Sequence, residues 1–130
     1  MREVFFMQIH KSAEDYLESI LVLKERLGMV RSIDIVRELN YSKPSVSIAM
    51  KRLRENGYIE MSADGYINLL PPGEEVARRI YTRHRLLTEF LTSIGVSRET
   101  AEEDACKVEH DLSDETFACM QAFAEQQKQH

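Results

Sequence analysis

The stretch from Ser32 to Leu69 constrains the fold of this chain more than any other. Ile33, Val36 and Leu39 recur at helical spacing and predict a short helix over 32–39, with those three residues on its core side. Asn40-Tyr41-Ser42 interrupts it as a tight turn. Ser42 is a helix-capping residue type, and Pro44 falls in the turn that follows, where a missing N–H is harmless. A further helix is therefore predicted from Ser42 to Asn56, stopped by Gly57. Tyr58-Ile59-Glu60-Met61 and Tyr66-Ile67-Asn68-Leu69 are β-prone runs, and the Ser62-Ala63-Asp64-Gly65 link between them ends in the Asp-Gly pair typical of hairpins. Two helices joined by a tight turn and followed by a hairpin form a winged helix.

The flanks read as helices. Ser12 is a candidate N-cap for a helix carrying Tyr16, Leu17, Ile20, Leu21, Leu23 and Leu27, ended by Gly28. Pro71-Pro72-Gly73 opens a long helix to about Ile94, ended by Gly95. Ser97 caps another helix to about Asp111, and Ser113 caps a last one. On that last helix Phe117, Met120 and Phe123 are expected in the core or a subunit interface, and Cys119 in the core, with a frayed tail from Gln126. The expected fold is mainly α: an N-terminal winged helix-turn-helix with a small β-hairpin wing over residues 1–71, then an all-helical dimerisation module over 72–130.

Charge is divided along the chain. The net charge of −5 argues against nucleic acid if taken globally. Yet residues 31–57 hold six basic residues (Arg31, Arg37, Lys43, Lys51, Arg52, Arg54) against three acidic ones, a balance of +3. Residues 96–130 hold three basic and nine acidic residues, a balance of −6. A DNA-facing half joined to a cation-handling half fits this asymmetry. On the helix from Ser42, Val46, Ala49, Met50 and Leu53 share one face, while Pro44, Ser47, Ile48, Lys51 and Arg52 lie roughly opposite, as suits insertion into a major groove.

No apolar run reaches the length of a membrane span, and the first ten residues do not form a secretory leader. A cytoplasmic protein is expected, with Met7 as an alternative start that would make residues 1–6 an extension. The two cysteines, Cys106 and Cys119, form no CxxC pair and are expected as free thiols or ligands.

One constellation carries coordination chemistry. Cys106, Glu109 and His110 stand at i, i+3 and i+4, so a helix would array a thiol, a carboxylate and an imidazole on one face. The spacing alone also fits a half-buried cysteine beside a solvated Glu-His pair. His84 lies mid-helix among basic and apolar residues, where a histidine is ordinarily a surface or interface residue. Asp15 and Glu18 stand one turn apart at the start of the first helix, and Asp15 is open to a capping role as the partner of Ser12.

Four segments, in order and in register, resemble the diphtheria-toxin-repressor family, in particular its short manganese-transport-regulator branch. They are Ala13-Glu14-Asp15-Tyr16-Leu17-Glu18, Ser42-Lys43-Pro44-Ser45-Val46-Ser47, Arg83-His84-Arg85-Leu86-Leu87, and Cys106-Lys107-Val108-Glu109-His110 followed by Leu112-Ser113. The resemblance spans Ser12 to about Phe123. It implies a homodimeric repressor, not an enzyme, that binds palindromic double-stranded operator DNA when loaded with a divalent transition metal and controls metal-homeostasis genes. Neither a membrane nor an organic substrate is implied.

The resemblance further implies metal ligands at Asp15, Glu18, His84, Cys106, Glu109 and His110. It places Ser42, Pro44, Ser45, Ser47 and Ile48 against base edges, and Arg31, Lys43, Lys51 and Arg52 are assigned to phosphates. Asp15 and Glu18 match the manganese type, which carries a carboxylate where Cys106 stands. The iron type has cysteine there, but methionine in place of Asp15 and a carboxylate in place of Thr88. The hybrid set makes Mn2+ the expected ion and Fe2+ the alternative, with Cys106 either a direct ligand or an indirect one. Competing readings are a winged-helix regulator sensing a non-metal ligand, a metal hydrolase using His84, Glu109 and His110, and a redox switch at Cys106.

Overall fold

The computed structural model describes the backbone of residues 2–128 and side chains over 12–128. The expected start at Met7 and the last two residues of the tail lie outside the described side chains. The chain forms two compact units, residues 1–79 and 80–130. Among the described residues no helix is long and apolar enough to cross a membrane.

The first unit contains α1 (Arg2–Leu27), α2 (Ser32–Leu39), α3 (Lys43–Glu55), the strands β1 (Ile59–Met61) and β2 (Ile67–Leu69), and the opening turns of α4 (Pro71–Ser93). The helix expected to begin at Ser12 runs through it. Between Arg2 and Leu27 there is neither glycine nor proline, so nothing in the backbone breaks the helix, and Ser12 is an interior residue rather than a cap. Asp15 is thereby freed from the capping role that the sequence left open. Gly28, at φ +84°, ends α1 by donating its N–H to Lys24 O at 2.8 Å.

Leu17, Ile20, Leu23, Val30, Val46, Met50, Ile59 and Ile67 make up much of the core of this unit. On α2 the enclosed residue is Ile35, while Ile33, Val36 and Leu39 are only half-buried. Packed against both α1 and α3, the short α2 has its most covered position where Ile35 stands, which a one-sided periodicity does not reveal.

The start of α3 follows its capping chemistry. Ser42 Oγ accepts from Ser45 N at 3.3 Å, with proline in the first turn. Val46, Met50 and Leu53 are buried, which leaves the opposite face to solvent. The strands pair antiparallel with Ile59 opposite Leu69 and Met61 opposite Ile67. Their turn closes through Gly65 N to Ser62 O at 2.9 Å, with Gly65 at φ +85°. Ile67 N also donates to Val30 O at 2.8 Å, tying the hairpin to the α1–α2 link. Gly73 admits no side chain, because a Cβ there would lie 2.2 Å from Tyr58 O. Further along α4, Arg79 pairs at 2.7 Å with the buried Glu14 of α1.

The second unit contains the rest of α4, α5 (Arg98–Val108) and α6 (Asp114–Lys128). Ser97 and Ser113 cap α5 and α6, accepting from Thr100 N at 3.4 Å and Thr116 N at 3.1 Å. α5 ends at Val108, short of the expected Asp111, while α6 stays helical to Lys128 where a frayed tail was expected. Its side chains correct the core placement of Cys119 and leave the subunit-interface alternative for Phe117, Met120 and Phe123. No α6 residue is buried: Phe117 and Met120 are half-buried, Phe123 is exposed, and Cys119 is exposed rather than part of a core. Three helices can enclose little apolar surface by themselves.

Candidate metal centre and nucleic-acid interface

α4 and α5 bring a histidine, a cysteine and a carboxylate together in the second unit. His84 Nδ1 lies 2.9 Å from Glu109 Oε2 and 3.7 Å from Cys106 Sγ. One donor atom from each of the three residues falls within 4.8 Å of the others. Glu109 is fully buried, His84 is about one quarter exposed, and Cys106 is open to solvent. Glu109 Oε1 lies 3.4 Å from Nε2 of the buried His110 side chain, yet accepts no hydrogen bond among the described residues.

The single stripe expected for Cys106, Glu109 and His110 is divided. Because α5 stops at Val108, Cys106 is helical, Glu109 caps the helix and His110 lies in the turn beyond. Cys106 joins Glu109 toward His84, and His110 meets Glu109 at its other oxygen. His84 is pushed up to about 10, first by its hydrogen bond to Cys106 and then by that to Glu109, with burial opposing both. Asp15 and Glu18 belong to the first unit, both half-buried on α1 and one helical turn apart.

A buried carboxylate flanked by two imidazoles, with one oxygen that accepts no hydrogen bond among the described residues, draws positive charge to itself: a protonated His84 supplies it without metal, and a cation can take that place. Thiol, carboxylate and imidazole donors around it suit a first-row transition ion. The residues present therefore fit a divalent metal.

The sequence reading assigned Arg83 no role, yet its guanidinium is buried beside this cluster. It donates to Glu109 O at 3.1 Å, Leu112 O at 2.7 Å and Asp114 Oδ1 at 2.6 Å, and lies 5.2 Å from the Phe117 ring centre. The available signal was its register: Ile80, Arg83 and Leu87 fall on one buried stripe of α4, where an arginine is out of place unless it has partners. Thr88, also buried, has a hydroxyl without a hydrogen-bond partner among the described residues.

In the first unit, α3 presents an exposed face of Lys43, Pro44, Ser45, Ser47, Ile48, Lys51 and Arg52. Ile48 is 55% exposed, an unusual position for an isoleucine unless a partner covers it. Ser42 and Ser45 spend their hydroxyls on each other, Ser42 Oγ donating to Ser45 Oγ at 2.8 Å, so both also build the helix start. Arg31 stacks over the Tyr66 ring at 4.4 Å, which fixes its guanidinium beside the wing.

The second unit also carries an apolar groove of about 620 Å³ between α4 and α6. Leu86, Phe90, Ile94, Met120 and Phe123 line it together with Cys119.

Comparison with known proteins assigns both halves. Residues 8–67 match the N-terminal DNA binding domain of iron dependent repressors, and residues 71–130 match their metal binding and dimerisation domain. The transcriptional regulator MntR of Salmonella typhimurium is 37% identical over 113 residues, which are 87% of this chain and 72% of that protein. An HTH-type transcriptional regulator of Methanocaldococcus jannaschii is 35% identical over 120 residues, 91% of this chain and 96% of that one. Among solved structures, a manganese-dependent transcriptional repressor in complex with manganese superposes with a TM-score of 0.78 at 28% identity. That match covers 85% of this chain and 51% of the repressor, so the chain spans about half the length of the solved relative. With both halves matched in order, the chain belongs to the iron dependent repressor family, a family of DNA-binding transcriptional regulators and not of enzymes.

Proposed function

We propose that this protein is a homodimeric repressor that binds a palindromic operator when it holds a divalent transition metal, Mn2+ in the first place and Fe2+ as the alternative, and that it controls metal-homeostasis genes in the cytoplasm. The observation that carries this reading is the buried Glu109 carboxylate between His84 and His110, with Cys106 alongside. The manganese complex among the solved relatives supports the choice of Mn2+.

His84, Cys106, Glu109 and His110 are the ligands that the geometry favours; Asp15 and Glu18 join them on family resemblance. When bound, the ion would supply positive charge to the Glu109 carboxylate and, as the family resemblance implies, to those of Asp15 and Glu18. Glu109 holds the central position, because it offers one oxygen to each histidine. His84 gives up its proton on ligation, since only the neutral imidazole binds a metal. The winged helix over residues 1–71 docks α3 in the major groove, and the helical module over 72–130 joins the subunits. Lys43, Lys51 and Arg52, with Arg31 beside the wing, meet phosphates. Pro44, Ser47 and Ile48 read base edges, chiefly thymine methyl groups and groove shape, while Ser42 and Ser45 shape the helix end that approaches the bases. Metal strengthens repression to the extent that it binds the operator-competent arrangement more tightly.

The test is DNA-binding anisotropy. A palindromic operator is selected from random-sequence DNA in the presence of Mn2+, then titrated anaerobically with the protein in Mn2+, Fe2+, Zn2+ or chelator. Tight binding that chelator abolishes is expected, with Mn2+ or Fe2+ restoring it. Equal binding in chelator would overturn the reading in favour of a regulator sensing a non-metal ligand.

A further inference from the structure

Arg83 immediately precedes His84 on α4, and the two side chains grip the same residue at its two ends. His84 holds the Glu109 carboxylate at 2.9 Å, and Arg83 holds the Glu109 backbone carbonyl at 3.1 Å. The same nitrogen, Nη1, reaches Leu112 O at 2.7 Å, so His110 sits in a turn pinned on both sides. Nη2 carries the clamp to Asp114, in the first turn of α6.

The chemistry explains why an arginine occupies a buried position. Carbonyls at the end of a helix lack intrahelical partners and form the negative end of its dipole. A guanidinium there satisfies acceptors in several directions from one rigid plane, which an ammonium or an amide cannot do. α5 has no glycine at its end to close it in a left-handed turn, and its cap residue Glu109 is right-handed helical. The path of the chain from Glu109 to Asp114 therefore depends on Arg83. Buried charge is costly, and among the described residues the carboxylate paired with Arg83 is that of Asp114, itself 90% exposed. Packing alone would be better served by a leucine or methionine.

We propose that Arg83 is a positioning residue of the metal centre: it fixes the Glu109 backbone and the turn holding His110, so that both donors are in place before the ion arrives. The proposal rests on the metal reading above. Outer partners of metal ligands govern affinity without touching the ion.

The experiment compares the full chain with Arg83→Gln and Arg83→Lys. Electron paramagnetic resonance of Mn2+ gives the free-ion concentration and the line shape of the bound ion, and thermal unfolding is followed without metal. Arg83→Gln is expected to weaken Mn2+ binding by roughly 10–100-fold and to broaden the bound signal. Arg83→Lys, which keeps the charge but only part of the fork, should recover a portion of the affinity. Should Arg83→Gln fail to fold, Arg83→Lys alone decides, with an affinity loss of at least about threefold and an altered line shape expected. Variants that melt earlier yet bind Mn2+ like the parent, with the parent line shape, would overturn the proposal and leave Arg83 a packing residue. If the parent chain itself shows no saturable Mn2+ or Fe2+ binding, the metal reading fails first and the positioning role with it.

Discussion

Two properties of the proposed centre are decided by single residues. Cys106 places a soft, solvent-open donor where the family resemblance implies a carboxylate for the manganese type. Replacing it with glutamate removes the thiolate that favours softer ions, so Cys106→Glu is expected to lower preference for Zn2+ over Mn2+ by on the order of tenfold in competition dialysis. An unchanged preference would mean that the sulfur does not touch the ion. His84 sets the pH response. Held up to about 10 by Cys106 first and Glu109 second, it carries a proton through the neutral range without metal. Each ion bound must displace that proton, so Mn2+ affinity should rise roughly tenfold per pH unit between pH 6 and 8. A flat profile in a pH series of calorimetric titrations would remove His84 from the ligand set. Stability of the metal-free chain runs the other way. A raised histidine contributes fully below about pH 6.5 and loses that contribution as pH climbs through 10. At this scale the sequence disclosed pairs that lie close along the chain, such as Cys106 with Glu109. The distance from His84 to Glu109, 25 residues apart, and the clamp by Arg83 depend on how α4 packs on α5, which no local spacing encodes.

At the scale of elements, capping chemistry was the dependable signal. Ser42, Ser97 and Ser113 each start the helix expected of them, because a side-chain oxygen accepting a free N–H is a local event. Ser12 failed for the same physical reason reversed: with no breaker upstream, its N–H is already engaged and no end exists to cap. Burial on a short element was equally hard to read, as Ile35 shows, because two neighbours rather than one cover α2. The start of α4 offers a test. Gly73 lies against Tyr58 O so closely that a methyl group would stand 2.2 Å from it, with a backbone carbonyl as the obstacle. Gly73→Ala must push the end of the hairpin away from α4. The expected loss is about 1–3 kcal/mol in urea unfolding, despite alanine being the better helix former. A variant as stable as the parent would show that this junction yields freely.

On the scale of the whole molecule, charge is divided between the two halves of the sequence. A net charge of −5 conceals the exposed basic face of α3, and the second unit carries an apolar groove that its described residues leave open. Phe90, Ile94 and Phe123 are 42, 64 and 55% exposed there, more than three helices need to show water if nothing covers them. The match of residues 71–130 to a metal binding and dimerisation domain makes a second copy the expected cover. The same feature explains why the sequence left core and subunit interface open for Phe117, Met120 and Phe123, and why Cys119 was wrongly placed in a core: periodicity does not distinguish a chain's own core from surface shared with a partner. Phe123→Glu is expected to halve the particle mass in light scattering, because a carboxylate in a closed apolar interface has no partner. The consequence for DNA follows from geometry. A dimer presents two α3 helices on one particle, and holding the first half-site raises the effective concentration at the second. Affinity for a palindrome should therefore fall by roughly 100-fold or more in Phe123→Glu, while affinity for an isolated half-site stays within about threefold. Loss of both in proportion would indicate that the substitution damages α3 or its support rather than the pairing of subunits. Retention of both, with unchanged mass, would place the dimer contact elsewhere and leave the groove to another partner.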